Sequence, residues 1–202
     1  MRPNSGKLML PGSSIAWDIH IHAVGEEIVA QTEMAIYFYP KGEEPKFRQN
    51  LALFHAISGV RDLDIAPNEI SVHQGFHVLK SAGRVENYQP HMHLRGKAAK
   101  IVATYPDGEE KVLLDVPNYD FNWQHSYRYK EPVFVPAGTK TEVTLWWDNS
   151  ADNPSNPDPT VDVTFGRPTT AEIGFGFMKF VDVEPVHIVV GEPLVEGATG
   201  GQ

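Results

Sequence analysis

Two histidines one residue apart, His91 and His93, are the side chains of this chain best placed to do chemistry. They lie in the run Pro90-His91-Met92-His93-Leu94, which reads as a strand. Side chains alternate faces along a strand, so both imidazoles project from one side and Met92 from the other. Two imidazoles on one face can hold a single ion, and imidazole suits copper, zinc, iron and nickel. The other reading is a pair packed on a half-buried sheet face, because a bare His-x-His is only a motif. Arg95-Gly96-Lys97 reads as the bend that re-aims the chain after the pair.

The elements that must position them read as strands. Helical periodicity is almost absent, and short alternating or apolar runs recur between turn signals. Such runs fall at 15–22, 33–39, 51–57, 68–79, 85–94, 98–105, 110–116, 119–129, 133–135, 142–147, 160–165 and 173–183. Pro40-Lys41-Gly42, Pro106-Asp107-Gly108 and Pro136-Ala137-Gly138 supply turn chemistry between them. The spacing predicts an all-β protein, an antiparallel jelly-roll-like β-sandwich. Residues 1–60 read as an N-terminal set of strands, 61–190 as the main sandwich and 191–202 as a weakly ordered tail, with 59–67 the natural boundary.

Composition narrows the function. A formal net charge of −9 argues against nucleic acid, which requires a basic stripe, and against anionic membrane surfaces. With no cysteine, thiolate sites, disulfides and cysteine nucleophiles are excluded, while nine histidines leave ample nitrogen donors. No run approaches the length of a transmembrane helix. Residues 1–7 carry charge but no apolar stretch, so no signal peptide is visible. The polar loop 148–159 is ordinary turn chemistry, with calcium binding by its carboxylates the minority reading. No Ser/His/Asp constellation, phosphate loop or Cys-x-x-Cys emerges.

Several motifs recur in order: His91-Met92-His93-Leu94-Arg95-Gly96-Lys97, Tyr105-Pro106-Asp107-Gly108, Val116-Pro117-Asn118-Tyr119-Asp120-Phe121-Asn122-Trp123-Gln124, Pro136-Ala137-Gly138-Thr139 and Asp148-Asn149-Ser150-Ala151-Asp152-Asn153-Pro154. Together, over about residues 8–185, they resemble the C-terminal domain of the copper type II, ascorbate-dependent monooxygenases, the family of peptidylglycine α-hydroxylating monooxygenase, in a bacterial and degenerate form. The resemblance implies two jelly-roll-like domains, each with one copper. The copper of the second domain, held by a His-x-His pair and a methionine, oxidises a C–H bond. The copper of the first, held by three histidines, relays an electron from ascorbate.

Carried over, His91 and His93 match the His-x-His pair, and His20 matches the third histidine of the electron-relay copper. Residues 1–60 then resemble the end of the first domain. His22 shares a face with His20 but is not part of the pattern. The adjacent histidine pair that completes the relay site is not in this sequence, so that site is expected to be incomplete. Ile173 stands where the family has its methionine, and a hydrocarbon cannot ligate. A third ligand would then come from His73, His77, His55 or His125, or from Met178 if a bulge turned it to the metal side. The strand carrying His73 and His77 is expected to pair with the strand carrying His91 and His93.

Two functions follow. One is a non-catalytic structural or interaction subunit of a larger complex, or a partner of an upstream domain, keeping the fold without full catalysis. The other is an active copper monooxygenase fragment using ascorbate or another reductant. At most one copper ion is expected, none if the site is degenerate. The resemblance alone implies a periplasmic or extracellular location.

Overall fold

Alternating side chains become two facing sheets. A computed structural model describes residues 3–21, 23–56 and 63–183, and among these there is no helix. The strands are β1 (Ser5–Gly6), β2 (Phe47–His55), β3 (Asp64–Ile65), β4 (Ile70–Val78), β5 (Gly83–His91), β6 (Gly96–Thr104), β7 (Glu110–Val116), β8 (Tyr127–Val135), β9 (Lys140–Asp148), β10 (Val163–Thr164) and β11 (Phe175–Asp182). One sheet runs β1-β2-β11-β5-β8 and the other β4-β9-β6-β7, with β3 and β10 as a separate two-stranded ribbon. The parallel β1/β2 pair apart, the paired strands are antiparallel. The expected all-β sandwich is therefore present.

The core lies between the sheets. Val85, Tyr88 and Met92 enter it from one side; Ala99, Ile101, Val143, Leu145 and Trp147 enter from the other. On the β11 side the inward row is small. A Cβ built at Gly174 would sit 2.5 Å from the Trp147 ring, and one at Gly176 would sit 3.2 Å from Val143. Glycine here lets the sheets close on the indole, a use of glycine at close approach. Met178 continues that inward row, fully buried, and the Tyr88 hydroxyl donates to its sulfur at 2.7 Å.

Several expectations change. β4, which carries His73 and His77, pairs with β9 in the opposite sheet rather than with β5. A run with the right alternation names no partner, and the register with β9 along the whole of β4 decides it. The runs at 15–21 and 33–39 are irregular and mostly exposed, with no strand neighbour among the described residues. Apolar alternation makes a strand only where another edge accepts its backbone hydrogen bonds. β2 pairs with β11 inside the main sheet, so the sandwich takes in the end of the 1–60 segment. Of the 59–67 boundary only 63–67 are described, and His22 and the 191–202 tail lie outside the described residues.

Replacing Gly174 with alanine should overpack the core and lower the unfolding free energy by roughly 1–3 kcal/mol. Gly176→Ala should cost less, since its new methyl meets Val143 at 3.2 Å rather than an indole at 2.5 Å. Urea midpoints of the two variants measure the difference, and equal midpoints would mean that the sheets do not close on Trp147 at Gly174.

Candidate metal centre

β5 ends at His91, and the chain turns immediately after His93, whose carbonyl accepts from Gly96 N at 3.1 Å. The strand ends earlier than its sequence suggests, yet the alternation persists through the extension. Met92 is buried in the core, and the imidazoles on either side of it lie together on the other face, His91 half-buried and His93 3% exposed. Tyr119 pins this extension: its hydroxyl donates to Met92 O at 2.7 Å and accepts from Met92 N at 3.1 Å. Gly96 is required here, because a Cβ would fall 2.7 Å from Met92 Cβ and 2.8 Å from the Tyr119 ring.

The turn is fastened from beneath by a buried carboxylate. Glu172 accepts from His93 N at 2.9 Å, Arg95 N at 2.7 Å and Trp147 Nε1 at 3.0 Å. Burial pushes its carboxyl up to about 7, against the pull of those three donors and the Arg95 charge. Arg95, itself 1% exposed, donates to Asn149 Oδ1 at 2.7 Å, Thr170 O at 2.8 Å and Asp158 O at 3.3 Å. The polar loop 148–159 is thereby drawn against the back of the site. Asn149 Nδ2 extends the same network to Ala66 O and Val161 O.

The two rings are 5.4 Å apart between centroids and nearly perpendicular, at 89°. His93 Nδ1 lies 3.0 Å from Ala171 O, which can only accept, so this nitrogen carries the proton. His91 Nδ1 lies 2.5 Å from Gln124 Oε1, and the same amide donates through Nε2 to Phe121 O, which fixes its orientation. Both imidazoles are therefore Nδ1–H tautomers with a bare Nε2. That is the arrangement of a metal-binding histidine, whose second nitrogen is held by a carbonyl or carboxylate. No hydrogen bond to either Nε2 is formed among the described residues, with His91 half-buried and His93 3% exposed.

The separation also fits one shared ion. With metal–nitrogen bonds of ~2.0 Å, an ion sits roughly 3.2 Å from each centroid, and 5.4 Å then corresponds to an N–metal–N angle of about 115°. Burial holds both imidazoles below the usual histidine range, opposed by the Gln124 and Ala171 hydrogen bonds. The rings thus stay neutral, and able to ligate, to lower pH than exposed histidines do.

Phe175 and Phe177 flank His91, Phe175 parallel to it at 6.4 Å, and Phe121 meets His93 edge-on at 6.2 Å. His91 pairs with Phe175 in the β5/β11 register. Ile173, two residues before Phe175, shares its parity and so the side of the pair. Met178 does not join them; its sulfur faces the core. His73 and His77 are also elsewhere, on the opposite sheet, where their rings meet Trp147 at 5.3 Å and Phe54 at 4.7 Å. His125 is exposed and stacks on Trp123. His55 lies across from Phe175 in β2, with its side chain outside the description. His20 is exposed, with its Nε2 3.7 Å from Asp18 Oδ1. Among the described residues, no three histidine, aspartate or glutamate side chains converge into a metal cluster.

Sequence reasoning missed the roles of Gln124, Ala171 and Glu172. Glu172 was legible in principle: it shares the inward parity of Gly174 and Gly176, and an inward carboxylate demands donors. The Gln124 contact crosses from a loop, and no periodicity announces it.

No family model matches this sequence, and no curated protein matches it. Among solved structures, one of infectious bursal disease virus (Gt strain) aligns with 75% of this chain and 42% of its own chain, at 8% identity and a TM-score of 0.27. This chain thus spans less than half the length of that viral chain, and a likeness of this order carries no functional argument.

The Glu172 carboxyl gives a pH prediction. A folded-state pKa above the unfolded value means that the folded protein holds the proton more tightly. The stabilisation is complete below about 4.5 and is lost as pH rises through about 7. Wild type should therefore lose stability across this window relative to Glu172→Gln, which cannot ionise. Urea melts from about pH 4.5 to 8 test the difference in slope. A wild type that gained on the variant over that range would show that the N–H donors and Arg95 outweigh burial.

Proposed function

We propose that this chain is a copper-binding β-sandwich of the copper type II monooxygenase kind, with a jelly-roll ancestry, that has lost full catalysis and serves as a structural or interaction subunit. The observation that carries the reading is the pair of adjacent imidazoles of His91 and His93, each ring fixed by a hydrogen bond at Nδ1 that leaves Nε2 as the lone-pair nitrogen. Those two residues would hold the ion, and copper in such a site supplies one-electron and oxygen chemistry when a reductant serves it. Gln124 and Ala171 keep both rings in the ligating tautomer. Glu172 and Tyr119 hold the main chain on which the rings stand. Phe121, Phe175 and Phe177 make the surroundings apolar.

The donor set favours binding over turnover. Ile173, on the side of the pair, offers no lone pair where a thioether would favour Cu(I). The relay copper lacks its adjacent histidines in this sequence. A larger assembly outside the cytoplasm follows from the resemblance and is proposed on that ground. The large apolar side chains exposed along the N-terminal segment, among them Trp17, Ile19, Tyr37 and Phe38, are consistent with a partner.

Purified protein should bind one equivalent of copper, and His91→Ala/His93→Ala should bind none at that site while remaining folded. Ile173→Met should raise Cu(I) affinity, read by competition with a chromophoric chelator. Absence of stoichiometric binding by wild type would overturn the reading. Ascorbate-dependent hydroxylation by wild type alone would replace the non-catalytic subunit with the active fragment.

A further inference from the structure

An open sheet edge is a template for another strand, and proteins usually blunt it with charge, proline, a bulge or a cover. Most edges here follow that rule. β8 carries Arg128, Lys130, Glu131 and Pro132. β7 carries Glu110, Lys111 and Asp115 and has a register shift against β6. β2 carries Arg48 and is covered at its start by β1. β4 has none of these devices. Among the described residues it pairs with β9 alone, and no main-chain hydrogen bond reaches its other side. Its sequence, Ile-Ser-Val-His-Gln-Gly-Phe-His-Val, holds no aspartate, glutamate, lysine, arginine or proline. The register with β9 is unbroken from Ile70 to Val78.

Alternation sorts what this edge presents. Leu79 N donates to Thr139 O, and Asn149 N donates to Glu69 O. The odd-numbered residues of β4 therefore direct their main-chain groups to β9, and the even-numbered ones aim theirs at the open side. Of those even residues, Ile70, Val72, Phe76 and Val78 also hold their side chains away from the core, 53%, 50%, 64% and 56% exposed, with Gln74 between them. Main-chain donors and acceptors and an apolar row thus meet along one edge.

A second copy of β4 fits it. Set antiparallel about a two-fold axis through Gln74, Ile70 lies opposite the partner's Val78, and Val72 opposite the partner's Phe76; symmetry repeats both pairs. The even residues then exchange about ten main-chain hydrogen bonds, as many as a typical specific interface carries. A nine-residue strand is about 30 Å long, and pairing it along its apolar row covers on the order of 1,000 Å² over both copies, which is the lower bound for a specific interface. A two-fold axis also sets charges against their own kind. In a chain of net charge −9, this edge has no carboxylate or cationic chain to oppose itself. Lys140 and Glu142, one strand back on β9, offset each other at 3.3 Å.

We propose that two copies of this chain pair through β4, joining their four-stranded sheets into one continuous sheet. The dimer leaves free the other sheet, which carries His91, so it stands apart from the metal reading.

Analytical ultracentrifugation of the full chain across micromolar to millimolar concentration provides the test, with circular dichroism as the check on folding. Wild type should be a dimer in the upper part of that range. Val72→Lys/Phe76→Lys sets like charges opposite each other twice and should raise the dissociation constant at least about a hundredfold. Val72→Lys/Phe76→Glu sets lysine opposite glutamate at the same two places and should recover the dimer. Both side chains are exposed, so neither double variant disturbs the core. Because the chain has no cysteine, Gln74→Cys should cross-link copy to copy on oxidation, while Ile70→Cys, far from the axis, should not. A monomeric wild type would overturn the proposal and leave the edge to a strand of a different protein. A dimer that survives Val72→Lys/Phe76→Lys, or that cross-links as readily through Ile70→Cys as through Gln74→Cys, would place the interface elsewhere and overturn it as well.

Discussion

The arrangement depends on one buried carboxylate. Glu172 gathers three N–H donors from the His-x-His extension, the turn after it and the core tryptophan. An unpartnered group at that depth would cost several kcal/mol, so the three donors and the carboxylate constrain one another. Because Glu172 directly follows Ala171, the same segment also presents the carbonyl that fixes the His93 tautomer. Core packing and ring chemistry are thereby joined through two adjacent residues. Shifting the β11 segment by one residue would remove both at once.

Around that anchor the molecule separates its polar and apolar work. The inner faces are hydrocarbon and aromatic, with glycines where the indole of Trp147 needs room. The face of β5 and β11 away from the core carries His91 beside phenylalanines, with the buried His93 just past the end of β5. Arg95 is the buried cation among the described residues, and its side-chain bonds organise the loop behind the site rather than the site itself. Buried charge is tolerated only when its hydrogen bonds are satisfied, and here the Asn149 amide oxygen and the Thr170 and Asp158 carbonyls do that.

Much of this was legible in the sequence. Period-two alternation placed both histidines on one face and Met92 on the other, and it placed Met178 on the face away from the histidines. The Pro106-Asp107-Gly108 turn stands between β6 and β7 as its chemistry required, with Gly108 at φ 90°. What stayed hidden was pairing. Nothing in the alternation of β4 says that its neighbour is β9, because register is set by cross-strand packing that a single strand does not encode. The irregular segment before β2 was hidden for the same reason: residues 15–21 alternate well, but alternation supplies no partner. Gln124 escaped because a loop contact leaves no period to read.

The central claim is that His91 and His93 are Nδ1–H tautomers whose Nε2 atoms share one ion. Long-range ¹H–¹⁵N correlation spectra of histidine-labelled protein, recorded before and after Cu(I) is added, measure this directly. The account predicts protonated Nδ1 on both rings beforehand, and afterwards a joint shift of both Nε2 resonances that saturates at one equivalent. Nε2–H tautomers in the free protein, or Nε2 resonances of the pair unmoved by copper, would contradict it.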